Sequence, residues 1–383
     1  MKKTLLSLAL VAASSQVLAT ELYNGRISGM AGAGYVTGGY SDGLLFNPSL
    51  AASFKDNDDL ALVINGGALA GSYEDLVDNL DDLVDLTDRL EYADNLVPGD
   101  AVELKRLLRA VDGESLDATL GASVVVAIPN SYLSAALVVK ATGALGAMVD
   151  IADSDFDFVE NSINRPFEPE DLQSAVYARG VLLRETGVAL AKSFSLSDDR
   201  TLLVGVTPKR LKVETIVYST TVADYDEDDL DADDYTVESS GSNLDAGVTL
   251  IDGNLRYGLT IQNIKSDSFR TIGEEVYKVD TRSTGAVGYV TDRFKAEAAI
   301  DLSSYQTFGL GGDSQIFRAG VEVSPFSWLQ LRAGLQRDLK DTLPDAYTLG
   351  LGFSPFDVVN IDIAGFTGDD DTVGGAIQIG FRL

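Results

Sequence analysis

Two-residue alternation of apolar and polar side chains constrains the fold of this chain more than any other feature. Successive side chains of a strand point to opposite faces, so strict alternation predicts strands with one apolar and one polar face. The pattern is clearest over residues 255–262, 294–303, 329–336, 347–353 and 373–383. The C-terminal half is therefore predicted to form strands that separate an apolar environment from a polar one.

Along the whole chain the pattern predicts fourteen strands, and an even number is typical of single-chain bacterial barrels. The predicted strands span residues 58–69, 117–128, 131–141, 183–194, 201–222, 238–251, 254–264, 280–291, 294–304, 315–324, 327–337, 346–354, 357–366 and 373–382. Every second connection is tight, as at Pro129-Asn130 and Asp252-Gly253, and the connections between them are longer and acidic. The strands of a soluble sandwich also have alternating apolar and polar residues, but a sandwich does not require tight and long connections to alternate. That regular exchange matches the short periplasmic turns and long extracellular loops of outer-membrane barrels. We therefore predict an all-β fold, a transmembrane antiparallel β-barrel of about 14 strands over residues 58–383.

Aromatic residues cluster at two of the predicted tight turns. They are Phe326, Trp328, Phe353 and Phe356, and they occur in two similar phrases, VSPFSW and FSPFDV. Aromatic side chains are enriched at membrane interfaces, so these four are predicted to form part of an interfacial girdle.

The N-terminus reads as a secretory signal over residues 1–19. Lys2 and Lys3 supply the charged start, an apolar run follows, and Val17-Leu18-Ala19 is a small-residue cleavage site. A membrane anchor needs about 20 apolar residues, and the run is shorter than that. The mature chain is expected to begin at Thr20 and to reside in the outer membrane of a Gram-negative bacterium.

Residues 20–57 precede the first predicted strand and are rich in glycine, including Gly29, Gly32 and Gly34. Glycine permits positive φ and close backbone packing, so this segment is predicted to form a compact hatch or plug. The glycine spacing lacks the following Lys-Ser/Thr and the βαβ context of a phosphate-binding loop.

A change to helical periodicity marks residues 73–113, where apolar residues recur every three or four positions between acidic ones. Pro98-Gly99 divides the segment. We predict a helical hairpin inserted after the first strand, on the extracellular side. Three roles stay open for it: a passive cap over the barrel, a ligand groove, or a surface that docks partners.

Composition excludes several classes of function. The chain has no cysteine and no histidine, which removes thiol chemistry and the usual general base and metal ligand. We therefore predict no enzymatic activity, no catalytic residue and no cofactor. The formal net charge of −30 predicts no direct nucleic-acid binding, because acidic chains repel phosphate backbones.

One acidic loop is a candidate for weak divalent-cation binding. Its candidate ligands are Asp226, Asp228, Asp229 and Asp231. They lack the ligand spacing and the turn glycine of an EF-hand, so a solvated acidic loop is the competing interpretation. No firm metal site is predicted.

The N-terminal segment resembles the long-chain fatty-acid transporter (FadL) superfamily of outer-membrane proteins. The similarity lies in residues 26–34 (RISGMAGAG) and in residues 46–51 (FNPSLA), which include Asn47 and Pro48. In that superfamily the corresponding stretch folds into a hatch that plugs a fourteen-stranded barrel. The family has an Asn-Pro-Ala turn, whereas this chain has Ser49 at the third position. The helical insertion makes the chain similar to the branch catalogued as plasmid-transfer TraF-like proteins.

This resemblance implies a channel for hydrophobic or amphipathic solutes, in which Gly29, Gly32, Gly34, Asn47 and Pro48 form a gating hatch. The hatch would open a path or divert a hydrophobic small-molecule ligand sideways into the bilayer. The predicted lumen is strongly polar, so an apolar ligand would need a local pocket. The predicted lumen residues are Arg256, Gln262, Lys295, Glu297, Asp301, Arg318, Glu322, Arg332, Asp362 and Arg382.

Two other functions compete with the channel. The first is an envelope accessory protein of conjugative plasmid transfer that docks partners through its extracellular helices. The second is a porin for polar solutes, which the charged lumen favours and the hatch opposes. For all three functions, the expected partners include outer-membrane lipid and lipopolysaccharide, periplasmic chaperones and the barrel-assembly machinery.

Overall fold

The computed structural model describes residues 22–55, 57–70, 74–113, 115–221, 235–272, 276–306, 312–343, 345–368 and 372–383. Fourteen antiparallel strands close into one barrel, in which each strand pairs with its neighbours in sequence and the first strand pairs with the last. The predicted fold class is thus confirmed. The strands are β1 Ala61–Ala70, β2 Ser115–Ile128, β3 Ser134–Asp150, β4 Ala175–Ser197, β5 Arg200–Thr221, β6 Thr236–Asp252, β7 Leu255–Gln262, β8 Arg282–Val290, β9 Phe294–Asp301, β10 Ile316–Phe326, β11 Leu329–Asp338, β12 Ala346–Phe353, β13 Val359–Gly368 and β14 Val373–Arg382.

Alternation along these strands produces an apolar outer surface. In β12, for example, Leu349 and Leu351 are 72% and 58% exposed, whereas the intervening Gly350 is buried. Phe326, Trp328 and Phe353 form an aromatic group beside two of the short turns, with ring centroids 5.3 and 5.7 Å apart. An apolar belt with an aromatic edge is the surface that a lipid-embedded barrel requires. Among the described residues, no helix is both long enough and apolar enough to span a membrane.

The third and fourth strands are longer than predicted. The sequence pattern placed them at 131–141 and 183–194, whereas β3 and β4 span Ser134–Asp150 and Ala175–Ser197. The prediction failed because small or apolar residues occupy both faces beyond Ala141, so the alternation disappears. Residues 142–150 and 175–182 pair in an unbroken ladder, and this part of the wall extends beyond the apolar belt.

Four helices accompany the barrel: α1 Gly25–Ser28, α2 Glu74–Glu91, α3 Pro98–Val111 and α4 Asp153–Asn161. Helices α2 and α3 form the predicted insertion, and their apolar stripes are buried against each other and against α4. The same cluster includes Ala118, Leu145 and Val149, which lie on the outward faces of β2 and β3. The helices therefore pack beside the extended wall, and they do not cover the lumen as a cap over the barrel would.

A short hairpin between β7 and β8 covers the lumen instead. Residues Asp267–Arg270 pair with Val276–Val279, and Phe269 and Val279 pack on the inward side chains Val181, Leu211 and Val213. A second two-stranded piece, Tyr305–Gln306 with Asp313–Ser314, lies in the next long loop. The described ends of the long loops thus form a roof over the inside of the barrel.

Candidate functional site

The N-terminal segment lies inside the barrel, where nearly every described residue from 22 to 52 is buried. Short 3-10 helices, Gly43–Leu45 and Pro48–Ala52, give it a compact shape. We call residues 22–55 the hatch. Apolar hatch residues such as Leu50 and Phe46 pack on inward residues of β1 to β5, including Val63 and Leu203.

The three predicted hatch glycines meet different constraints. Gly32 has a φ of +83°, a conformation that other residues rarely adopt. A side chain on Gly29 would lie 3.0 Å from the Cα of Gly350 in the barrel wall, and one on Gly34 would lie 2.7 Å from Ile27. Each position therefore tolerates only glycine without a shift of the hatch or the wall.

Asn47 and Pro48 attach the hatch to the wall near the short turns. Asn47 caps the 3-10 helix that starts at Pro48 and donates from Nδ2 to the Tyr35 carbonyl at 2.8 Å and to Thr249 Oγ1 at 3.0 Å. Ser49, the departure from the family's alanine, adds a hydroxyl contact of 2.8 Å to the same Thr249 oxygen. A serine here thus supplies a second hydrogen bond between hatch and wall.

An ionic network also holds the hatch, and its hatch members Arg26 and Asp42 were not predicted from the sequence. The Arg26 guanidinium contacts Asp42 within the hatch and Glu322 of β10 at 3.1 Å. Glu322 also pairs with Lys295 at 2.8 Å and with Arg332 at 2.7 Å. The sequence signal that could have revealed this network is the presence of Arg26 and Asp42 in a glycine-rich plug, because a buried charge requires a partner.

Glu297 of β9 binds the hatch through its backbone. Its two carboxylate oxygens accept the backbone N–H groups of Tyr35, Val36 and Thr37 at 2.6, 3.1 and 2.8 Å, and Oε2 also accepts the Thr37 hydroxyl. Asp301 instead binds Arg318 and Arg282 of neighbouring strands. The predicted lumen charges therefore face inward as expected. Some of them bind the hatch, and others form ion pairs between neighbouring strands of the wall.

Between the hatch and the roof lies a cavity of about 210 Å³, which we call the chamber. Its floor is formed by Leu22 and Tyr23 of the hatch, and its wall includes Leu69, Thr142 and Leu183. The roof contributes side chains of both loop pieces, namely Tyr277, Lys278, Val279, Tyr305 and Gln306. The chamber is thus an amphipathic space closed below by the hatch.

One side of the chamber is ionic. Lys209 of β5 contacts Glu185 at 2.6 Å and Asp245 at 2.9 Å, and Lys140 also pairs with Glu185. The phenols in the roof are neutral, because burial raises the pKa of Tyr277 and raises that of Tyr305 to about 12. The chamber therefore combines a polar side with an apolar floor and wall, which are the two kinds of surface that a binding site for an amphipathic solute requires.

The wall beside the chamber is continuous. β1 pairs with β2 from Ala61 to Ala70 without interruption, and β2 pairs with β3 from Ser115 to Ile128. A sideways exit at this place would require separation of paired strands. The path through the chamber floor requires only displacement of the hatch.

Two predictions fall on residues outside those described. The signal segment 1–19 is one, and the acidic loop with Asp226, Asp228, Asp229 and Asp231 is the other. Within the described ranges, no group of three or more metal-ligating side chains is arranged to hold an ion.

Solved structures of two transporters are similar to this chain over nearly its whole length. The toluene transporter TbuX of Ralstonia pickettii shares 10% sequence identity and a TM-score of 0.53, with 96% of this chain and 100% of that chain covered. The Pseudomonas putida toluene transporter TodX shares 11% identity over 96% of this chain and 98% of that chain, at a TM-score of 0.43. The likeness to TbuX shows that the two chains share one fold. No curated protein matches the sequence.

A protein-family model matches residues 44–301, more than half of the chain and a region that runs from the hatch to β9. The model carries the description "F plasmid transfer operon, TraF, protein". The match includes the hatch turn, the helical insertion and nine strands of the barrel. The chain therefore belongs to this TraF family.

Proposed function

We propose that this protein is an outer-membrane channel that admits small hydrophobic or amphipathic solutes through its chamber and past its hatch. The observation that carries the proposal is the chamber itself, a partly apolar space of about 210 Å³ directly above the hatch. An apolar cavity of roughly 150 Å³ accepts benzene, so the chamber suits a solute with a single ring. The structurally similar TbuX is described as a toluene transporter, which fits this size class.

The outer surface of the barrel supports a location in the outer membrane. The apolar belt, the aromatic group beside the short turns and the long loops at the opposite end are features of barrels in that membrane. The hatch then closes the periplasmic half of the lumen. We propose that Asn47, Pro48 and the hatch glycines act in gating, because Asn47, Pro48, Gly29 and Gly32 lie against the wall and Gly34 packs on Ile27 within the hatch.

A tryptophan placed in the chamber tests the proposal. Thr142 faces the chamber, so Thr142→Trp is expected to fill most of it and to lower uptake of labelled toluene by at least tenfold. Ala141→Trp is the matched control, since the neighbouring side chain of the same strand faces outward. Uptake is measured in cells that lack their own fatty-acid transporter, with labelled oleate as a second solute and equal surface levels of each variant. Equal uptake by the two variants would contradict a path through the chamber.

A second candidate function is docking in conjugative plasmid transfer, which the TraF family description favours. The apolar stripes of α2 and α3 are buried, so docking would have to use the remaining exposed apolar residues. Tyr92 and Val102 are the most exposed of these, at 85% and 67%. Under this function, Tyr92→Ser with Val102→Ser lowers plasmid transfer between cells and leaves toluene uptake unchanged, whereas Thr142→Trp does the reverse.

A further inference from the structure

Three cationic side chains project from the outer surface of the barrel within two residues of one another along β4 and β5. Arg184 of β4 lies opposite Lys212 of β5, and Thr186 lies opposite Arg210. All three cations are on the outward faces of their strands, because the alternate residues Glu185, Lys209 and Leu211 face the lumen. Cations are unexpected on the membrane-facing side of a chain whose formal net charge is −30.

Their height coincides with the outer edge of the apolar belt. From Arg200 at the short turn to Arg210, a tilted strand rises roughly 25 Å, which is about the height of the apolar band of such barrels. Below Arg210 the outward face of β5 carries Val206 and Pro208, and β4 carries Val188. The cations therefore lie where lipid headgroups meet the barrel on its long-loop side.

A groove in the outer surface passes along these residues. It is lined by Val188 and Pro208 toward the belt, and by Thr186, Arg210, Ser240 and Ser242 toward the long loops. Ser242 lies opposite Arg210 across the β5–β6 ladder, and Ser240 lies opposite Lys212. The groove thus joins an apolar floor to a rim of hydroxyls and one guanidinium.

Arg210 is the group available to a ligand. Arg184 binds Glu214 in a two-bond contact at 2.8 and 3.1 Å, and Lys212 pairs with Glu238 at 2.8 Å. Across the described parts of the chain, Arg210 has no ion pair. The rim therefore has three positive groups and two negative ones, the carboxylates of Glu214 and Glu238. Its net positive charge favours an anion.

We propose that this groove binds the phosphorylated glucosamine headgroup of lipopolysaccharide, with Arg210 on a phosphate and an acyl chain along Val188 and Pro208. A soluble anion would use the rim alone, whereas a phosphorylated glycolipid uses the rim and the apolar floor together. Guanidinium–phosphate pairs are strong and directional, and serine hydroxyls are suitable additional donors. The proposal rests on the outer-membrane location, and it does not depend on solute transport.

The test measures binding of lipid A to the purified, hatch-filled barrel in detergent. Arg210→Gln is expected to weaken binding of lipid A that carries both phosphates by at least tenfold, and dephosphorylated lipid A is expected to bind no better than the variant does. The control is Lys192→Gln, an outward cation of β4 near the opposite edge of the belt, which should bind as the unchanged protein does. Resistance of the folded barrel to denaturation on gels verifies that each variant is intact.

Three outcomes would overturn the proposal: equal binding by Arg210→Gln, equal binding of the dephosphorylated lipid, or equally strong binding of phosphatidylglycerol. Toluene uptake by Arg210→Gln in cells should equal that of the unchanged protein. Failure of the uptake proposal would therefore leave the lipid measurement intact, and the reverse also holds.

Discussion

Replacement of Glu322 by alanine is expected to loosen the hatch and to destabilise the folded protein by about 3–5 kcal/mol, the cost of removing one partner from a buried ionic network. Glu322 is 2% exposed and is bound by Arg26, Lys295 and Arg332 at 2.7 to 3.1 Å. Its loss leaves three cations close together without the carboxylate that they share. Asp42 and Asp362 still neutralise Arg26 and Arg332, so Lys295 and the hatch-to-wall link suffer most.

Two measurements check this expectation. The urea midpoint of unfolding should fall, and planar bilayers should show channel openings that the unchanged protein lacks. Glu103→Ala is a matched control, because Glu103 pairs with Arg106 on the exposed surface of α3, where such pairs contribute about 1 kcal/mol or less. An unchanged midpoint together with a closed channel in Glu322→Ala would refute the assigned role of Glu322.

A disulfide between hatch and wall is expected to abolish uptake. Ser49 Oγ and Thr249 Oγ1 are 2.8 Å apart, so cysteines at these two positions bring their sulfur atoms within bonding reach after a small shift. The natural chain contains no cysteine, so a bond formed in Ser49→Cys with Thr249→Cys joins these two sites alone. Oxidation should lower toluene uptake by at least tenfold, and a reductant should restore it.

The two single-cysteine variants serve as controls for the oxidant itself. Each should take up toluene equally before and after oxidation. Undiminished uptake by a fully cross-linked double variant would show that solute passes without movement of residues 47–52, and the hatch would then not be the gate.

Much of the barrel could be predicted because its physics is local. Alternation in segments such as 347–353 specifies which face of each strand meets lipid. The regular exchange of tight and long connections specifies the end of the barrel at which each connection lies. The extensions of β3 and β4 could not be found this way. Beyond the belt neither face is in lipid, so nothing selects an alternating pattern there.

The candidate site was less predictable, since its contacts join residues far apart in sequence. Glycines and the Asn47-Pro48 turn are visible locally, but the Arg26–Glu322 pair spans most of the chain. The stripes on α2 and α3 suggested a docking face, and their true partners include α4, which lay within a predicted loop. The chamber itself depends on a hairpin that folds inward from another loop, a placement that no local pattern encodes.

The seam between β1 and β14 closes the barrel and limits the order in which the protein can assemble. Both edges of β1 are hydrogen-bonded, one to β2 and the other to β14. The barrel can therefore close only after the last strand has been synthesised. The hatch touches wall glycines on opposite sides, with Met30 against Gly334 and Pro48 against Gly205. Such interlocking leaves no clearance for a plug to enter a finished ring. We therefore expect the hatch, which precedes every strand in the chain, to be in place before the seam closes, with the wall assembled around it.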